Sequence, residues 1–238
     1  MKALILNSGL GKRMGCLTDH FPKCMTPIQG DETILSRQLK SLIKANIREA
    51  VITTGYYEPV LIDYINHLNL PIAISFVNNP LYASTNYIYS IYLAKQDVQD
   101  DLILMHGDLV YDDAILLEML TLPQSMMAVS STLPLPEKDF KAVVEEDKII
   151  RIGIDCFVHA LAAQPLYKLN RKDWEIWLNE IGDFCQRGLT SVYAENAFNE
   201  ISLYINVKPY DVLNRLCGEI DNPQDLKIIS ERLERGQL

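Results

Sequence analysis

The sequence predicts an α/β protein with a Rossmann-like, three-layer α/β/α arrangement around a mainly parallel central sheet. Three observations carry that expectation. Short, nearly all-apolar runs recur through the first half, as strands buried on both faces require. Segments with helical spacing of apolar residues separate them, which is the rhythm of βαβ units. Glycine-bearing turns follow two of the runs, at Gly9 and Gly107, and such sheets bind ligands at the carboxyl ends of their strands.

The elements follow in order. Residues 2–6 form a short apolar strand. Ile34, Leu35, Leu39, Leu42 and Ile43 have helical spacing and predict a helix over 34–45. Residues 50–54 are a second strand closed by Gly55, 60–68 a helix, and 72–77 a third strand. A helix over 86–95 carries Ile88, Ile91 and Tyr92 on one side. Residues 102–105 are a fourth strand ending in His106-Gly107-Asp108, followed by a helix over 112–120 and a fifth strand over 126–131. Right-handed crossovers then place Gly9 and Asp108 on one rim of the sheet. After Pro134 the rhythm changes. Residues 141–146 and 148–153 flank an acidic turn and predict a hairpin. Residues 171–187 are a helix with Trp174, Trp177, Leu178 and Ile181 inside, 202–207 a strand, and 223–233 a closing helix. No repeat, low-complexity stretch or linker interrupts the chain. One domain over 1–238 is expected, with a core over 1–133 and an elaboration over 134–238.

Composition narrows the function. The chain carries 22 basic and 31 acidic side chains, for a net charge of −9. That balance disfavours nucleic acid and anionic membrane surfaces as partners. No apolar run reaches the roughly 20 residues of a membrane span, and no secretory h-region opens the chain. Cys16, Cys24, Cys156, Cys185 and Cys217 are scattered, odd in number and without a C-x-x-C pair. They read as reduced packing thiols of a cytoplasmic protein, not as a metal framework.

Against this acidic background, residues 6–28 read LNSGLGKRMGCLTDHFPKCMTPI and set Lys12, Arg13 and Lys23 around a glycine turn. Such a turn lets backbone amides approach phosphate oxygens. The Walker A spacing does not fit. The dinucleotide fingerprint fails at its third glycine, where Met14 stands, and Thr53-Thr54-Gly55 stands where its acid would be. A third template fits: a strand, G-x-G-x-R, Thr, Pro-Lys, Pro-Ile. The run Gly9-Leu10-Gly11-Lys12-Arg13, Thr18, Pro22-Lys23, Pro27-Ile28 resembles the nucleoside-triphosphate transferases, the nucleotidylyltransferases that include the sugar-nucleotide pyrophosphorylases. Asn7 and Ser8 stand where the family often has alanines, and Cys16 where it often has proline.

The resemblance implies a GT-A-like nucleotidyltransferase fold, with a nucleotide-binding core over 1–133 and acceptor-binding elements over 134–238. It implies catalytic roles for Arg13, whose planar fork grips phosphate oxygens, and Lys23, a movable point charge. Replacing Lys23 is expected to cost turnover but little stability. The nucleotide is expected against Leu6, Asn7, Ser8, Gly9, Gly11 and Lys12, against Gly107, and against Asn79, Thr85, Asn86 and Ser90. Asn86 could also cap the helix that follows it. The strand-end Gly107-Asp108 and the late Glu219-Ile220-Asp221 resemble the family's paired aspartates. Asp108 and Asp221 are therefore expected to hold Mg²⁺, although Asp221 could instead cap the last helix. His106 is not needed as a base, because an acceptor phosphate is already anionic.

The form Asn86-x-x-Tyr89-Ser90-Ile91-Tyr92-Leu93 looks like the bacterial choline-phosphate cytidylyltransferases, which implies CTP as donor. Tyr193, Glu195 and Asn196 fall where that branch places an aromatic and acidic pair, and Tyr82 and Tyr87 could contribute to the same pocket. Rings with a carboxylate suit an ammonium group. Lys141 resembles a family lysine before the hairpin, but Gly153-Ile154 lacks the lysine common after it. Phosphocholine, an aminoalkylphosphonate, a phosphorylated amino acid such as phosphoglutamine and a polyol phosphate stay open as acceptors. The expected product is a CDP-activated group for decorating a surface polysaccharide or lipid. Two rivals remain: a sugar-1-phosphate nucleotidylyltransferase using UTP or GTP, and a catalytically silent NTP-binding regulatory domain. A homodimer is compatible with the chain.

Overall fold

The structure, a computed structural model, describes residues 1–238. Its first half alternates as the periodicity requires. The order is β1 (Lys2–Leu6), a small ribbon of β2 (Pro27–Gln29) and β3 (Glu32–Thr33), α1 (Ile34–Lys44), β4 (Glu49–Thr54), α2 (Glu58–Leu68), β5 (Ala73–Asn78) and α3 (Tyr87–Leu93). There follow β6 (Leu102–His106), β7 (Leu109–Tyr111), α4 (Asp113–Thr121) and β8 (Ser125–Ser130). The second half adds β9 (Lys141–Glu145), β10 (Lys148–Gly153), β11 (Ala160–Leu169), α5 (Arg171–Gln186), α6 (Ala194–Ile201), β12 (Val207–Asp211), β13 (Cys217–Glu219) and α7 (Pro223–Glu234).

The central sheet runs β5-β4-β1-β6 in parallel, and β11 then joins β6 antiparallel. β11 also pairs β8 and β9, so the second half feeds the same sheet. Strand alternation builds the layers. Ala3 and Ile5 face one core with Leu35 and Leu39 of α1, Leu61 of α2 and Ile115 of α4. Leu4 faces the other, with Ile88 of α3, Trp174 and Trp177 of α5 and Phe198 of α6. Both indoles are fully buried, and each Nε1 finds an acceptor: Val98 O at 2.8 Å and Ala194 O at 2.9 Å. A third cluster packs Ile229 and Leu233 of α7 against Met14, Ile28 and Ile34, which fastens the last helix beside the glycine loop.

The hairpin turn is as expected. Glu146 and Asp147 have φ of 48° and 60°, the paired left-handed conformation of a two-residue turn. The strand expected over 202–207 is a correction: β12 begins only at Val207. The preceding segment is a turn that leaves α6 after Ile201, with Leu203 and Tyr204 78% and 76% exposed. Leu203 and Tyr204 face water and only Ile205 is buried, so the apolar letters there mark no strand. β11 carries Pro165, which breaks the strand signal in the sequence. The ladder tolerates the proline, since the β11–β8 register shifts between Ala163 and Tyr167.

Candidate active site

The site lies on the carboxyl rim of the parallel strands. Just past β1, Asn7 N donates to Thr53 O at 3.1 Å, and the chain then leaves the ladder. Gly11 takes φ +64°, a conformation that glycine adopts without strain. The chain winds through a short 3-10 turn over Lys12–Thr18, tied down by Thr18 Oγ1 donating to Gly11 O at 3.1 Å. Tyr57 Oη braces the far end, 3.0 Å from both Thr18 O and Asp19 O.

The opposing wall is the turn after β6. Gly107 N donates to Leu6 O at 3.0 Å. A Cβ at 107 would stand 1.7 Å from Asn7 Oδ1, so only glycine fits there. Beneath the turn, the buried Gln38 of α1 donates from Nε2 to His106 O at 2.9 Å and Leu109 O at 2.8 Å. One amide thus straps the carbonyls on either side of Gly107-Asp108. β13 pairs with β7, and Ile220 N donates to Asp108 O at 3.0 Å, which brings Asp221 alongside. Asn222, not Asp221, caps α7: its Oδ1 accepts from Gln224 N and Asp225 N at 2.8 and 3.1 Å. Asp225 Oδ2 accepts from Asp221 N at 2.9 Å. The Asp221 carboxylate therefore takes no part in the cap.

Asp108 and Asp221 converge on one ammonium. Lys23 Nζ ion-pairs with Asp108 Oδ2 and lies 2.9 Å from Asp221 Oδ1. Arg13 Nη2 reaches the same Asp221 oxygen at 2.7 Å. Burial works against the Lys23 charge, but the two aspartates outweigh it and raise its pKa. Burial likewise opposes the charge on Asp108, and Lys23 with His106 overcomes it and lowers its pKa. Glu219 joins this group, 2.9 Å from His106 Nδ1. Burial and the Asp108 charge push the Glu219 carboxyl up to about 7. Burial would lower His106, yet its contact with Glu219 and the nearby acids carries it to about 9. Sequence reasoning assigned Glu219 no role. The signal was its two-residue spacing from Asp221 at a strand end, which sets both side chains on one face.

Three adjoining hollows surround these charges. The first, about 420 Å³, takes its lining from Leu6, Asn7, Gly9, Gly11, Lys12 and Gly107, together with Arg13, Lys23, Asp108 and Asp221. The second, about 190 Å³, holds the remaining expected nucleotide residues: Ser8, Asn79, Thr85, Asn86 and Ser90. Its floor is a fixed polar mesh. Ser8 and Ser90 hydroxyls lie 2.7 Å apart, and Asn79 Nδ2 donates to Thr85 Oγ1 and Ser90 Oγ, each at 3.0 Å. Asn86 lines the same hollow, and its Oδ1 caps α3 by accepting from Tyr87 N at 2.8 Å. The third, about 370 Å³, joins Arg13, Asp108 and Asp221 to Tyr87, Phe140, Tyr193 and Glu219.

Of Lys141, Tyr193, Glu195 and Asn196, Tyr193 alone lines that third hollow; Tyr87 lines it as well, whereas Tyr82 lines the first two. Asn196 is spent on the cap of α6, where its Oδ1 accepts from Tyr193 N at 3.0 Å. Glu195 is buried behind Tyr87. Lys141 is fully buried, donates to the carbonyls of Pro136 and Asp139, and lies 4.2 Å from the Phe157 ring centre.

The residues suit a hard divalent cation. Asp108 Oδ1 is buried with no hydrogen-bond partner, and the donors are carboxylates, which magnesium prefers. His106, Asp108 and Glu219 also bring ligand atoms within 4.8 Å of one another.

Comparison with known proteins gives the family and the fold. The nucleotidyl transferase family model matches residues 2–140. The chain is 30% identical over 135 residues to the CMP-5'-(3-aminopropyl)phosphonate synthase of Streptomyces rubellomurinus, covering 57% of this chain and 21% of that protein. It is 32% identical over 117 residues to the CTP:phosphoglutamine cytidylyltransferase of Campylobacter jejuni, covering 47% of this chain and 45% of the relative. These matches thus span less than half the length of either relative. The structure of CTP:phosphocholine cytidylyltransferase from Streptococcus pneumoniae superposes with a TM-score of 0.78 at 21% identity, over 98% of each chain, which shows a shared fold. The chain belongs to the nucleotidyl transferase family.

Proposed function

We propose that this chain is a magnesium-dependent cytidylyltransferase that moves CMP from CTP to a small phosphorylated or phosphonate acceptor. The observation that carries the reading is the Lys23 ammonium held between Asp108 and Asp221, at the mouth of a glycine loop and beside Arg13. Cations and paired carboxylates at one point suit a nucleotide–metal complex, not a lone anion. In this reading an acceptor oxygen bonds to the α-phosphorus of CTP, the bond from that phosphorus to the β-phosphate bridge breaks, and pyrophosphate leaves. Arg13 and Lys23 stabilise the charge spread over the phosphate oxygens, and the loop amides and Lys12 fix the triphosphate. Magnesium held by Asp108 and Asp221 would withdraw charge from the α-phosphate. The fixed mesh of Ser8, Asn79 and Ser90 suits a small base, and the relatives named for CTP or CMP favour cytosine.

The third hollow would take the rest of the acceptor. Its rings and carboxylate favour a head group with an ammonium, as in phosphocholine, an aminoalkylphosphonate or phosphoglutamine. The product would be a CDP-activated group for transfer to a surface polysaccharide or lipid. The test is pyrophosphate release from each of four NTPs with Mg²⁺ and a panel of phosphorylated acceptors. CTP with an amine-bearing acceptor should be preferred. UTP or GTP with a sugar 1-phosphate would replace this reading, and no release from any pair would end it.

A further inference from the structure

Glu195 is a buried acid without a task in this reading. It is 2% exposed. Its carboxylate accepts from two tyrosines: Tyr167 Oη donates to Oε1 at 2.8 Å, and Tyr87 Oη donates to Oε2. It enters no ion pair with a lysine, arginine or histidine within 4.0 Å. A buried charge left so is costly, and two hydroxyl donors satisfy it only in part.

The two tyrosines differ in where their rings lie. Tyr167 is core, packed 5.5 Å from Trp177. Tyr87 lines both the second and the third hollows. Its ring sits 4.8 Å from His106 and 5.9 Å from Tyr193, which in turn meets Phe140 edge-on at 4.9 Å. Glu195 thus draws the Tyr87 hydroxyl back into the core, while the ring stays at the hollow. A phenol that donates to a carboxylate has a more electron-rich ring, and such a ring attracts cations more strongly.

We infer that Glu195 is a specificity-determining residue that works through Tyr87, fixing and polarising that ring so that the third hollow favours an acceptor with a positive charge. Glu195 itself does not touch the acceptor. The inference rests on the acceptor reading of the third hollow given above.

The test measures binding. Calorimetry compares phosphocholine with its neutral isostere 3,3-dimethylbutyl phosphate, on protein saturated with Mg²⁺ and a non-hydrolysable CTP analogue. Wild type should prefer phosphocholine by about tenfold, the scale of a desolvated cation–ring contact. Glu195→Gln and Tyr87→Phe should each cut that ratio to about twofold or less, measured on protein saturated with the CTP analogue. Tyr167→Phe removes the other donor to the same carboxylate and should keep the ratio. If Glu195→Gln does not fold by circular dichroism, the contrast between Tyr87→Phe and Tyr167→Phe decides. The inference falls if wild type shows no preference, if the ratio survives Tyr87→Phe, or if Tyr167→Phe lowers it equally. Pyrophosphate release is scored separately, so absent turnover ends the proposed function while the binding ratio still decides the role of Glu195.

Discussion

Lys23→Ala removes the ammonium that Asp108 and Asp221 share. The three side chains are only 15–17% exposed, so the pairing is poorly screened by water. At the 2.9 Å separation from Asp221, the gross attraction is about 6 kcal/mol for an effective dielectric constant of 20. Desolvation offsets most of it, and the net cost of stranding two facing carboxylates is about 2 kcal/mol. For a chain of this size that lowers the melting midpoint by about 4–8 °C. The two ion pairs argue for a larger stability cost than the sequence alone leads one to expect. Magnesium should reverse the loss, because the ion then meets the two carboxylates with no internal rival. The assay is thermal melting in EDTA and across a Mg²⁺ series, without nucleotide. The variant should melt below wild type in EDTA and gain more from Mg²⁺. Equal melting in EDTA, or an equal Mg²⁺ gain in both proteins, would refute the bridging role.

Three further outcomes follow from particular contacts. Gly107→Ala puts a methyl carbon 1.7 Å from Asn7 Oδ1 and 2.7 Å from Leu6 O, so the rim must move. Urea unfolding should show a loss of about 3 kcal/mol or more, the scale of severe overpacking. Gln38→Met keeps the volume but leaves His106 O and Leu109 O without their strap; a loss of about 2 kcal/mol in urea is expected, with a higher Mg²⁺ concentration at half-maximal turnover. Glu32 is the pH marker: burial opposes its charge, but hydrogen bonds from Lys40 and Arg37 outweigh it and hold its pKa below the ordinary value. A lowered carboxyl stabilises above its unfolded pKa, and the effect is lost as pH falls through the folded one. Glu32→Gln should therefore cost about 1 kcal/mol at pH 7, and the difference from wild type in urea unfolding should shrink as pH falls below the ordinary carboxylate range.

How much of this was legible in the sequence depends on how local the cause was. The glycine turn, its cations and the strands of the parallel half could be read, because each is fixed by residues close in sequence. Asp108 and Asp221 could be paired only through resemblance. What joins them is the β7–β13 ladder and the cap at Asn222, and neither element shows a strong period. Glu219 carries one sequence mark, its two-residue spacing from Asp221, and its role shows only once His106 stands beside it. The acceptor side was legible only in part, for a related reason. The segment 193–196 reads as polar and aromatic, yet it is the first turn of an amphipathic helix. Helical phase turns Glu195 inward and spends Asn196 on a cap. Alternation in a short helix with polar buried positions cannot be told from a loop by composition alone.

Acids in a site for a polyanion also need a physical reason. The chain already carries a net charge of −9, and a triphosphate brings about four more negative charges. In the first hollow Lys12, Arg13 and Lys23 are set against Asp108 and Asp221, which leaves a single positive charge. Without the aspartates the same hollow would hold three, but those lysines and arginines would repel one another whenever the ligand was absent. With them, Lys23 is neutralised at rest and held at a defined point. A divalent ion arriving with the nucleotide would satisfy both carboxylates, release the ammonium toward the phosphates, and raise the hollow from one positive charge to three. The aspartates are thus consistent with a site whose positive charge is completed only by the metal–nucleotide complex, which would discriminate against inorganic phosphate and free triphosphate alike.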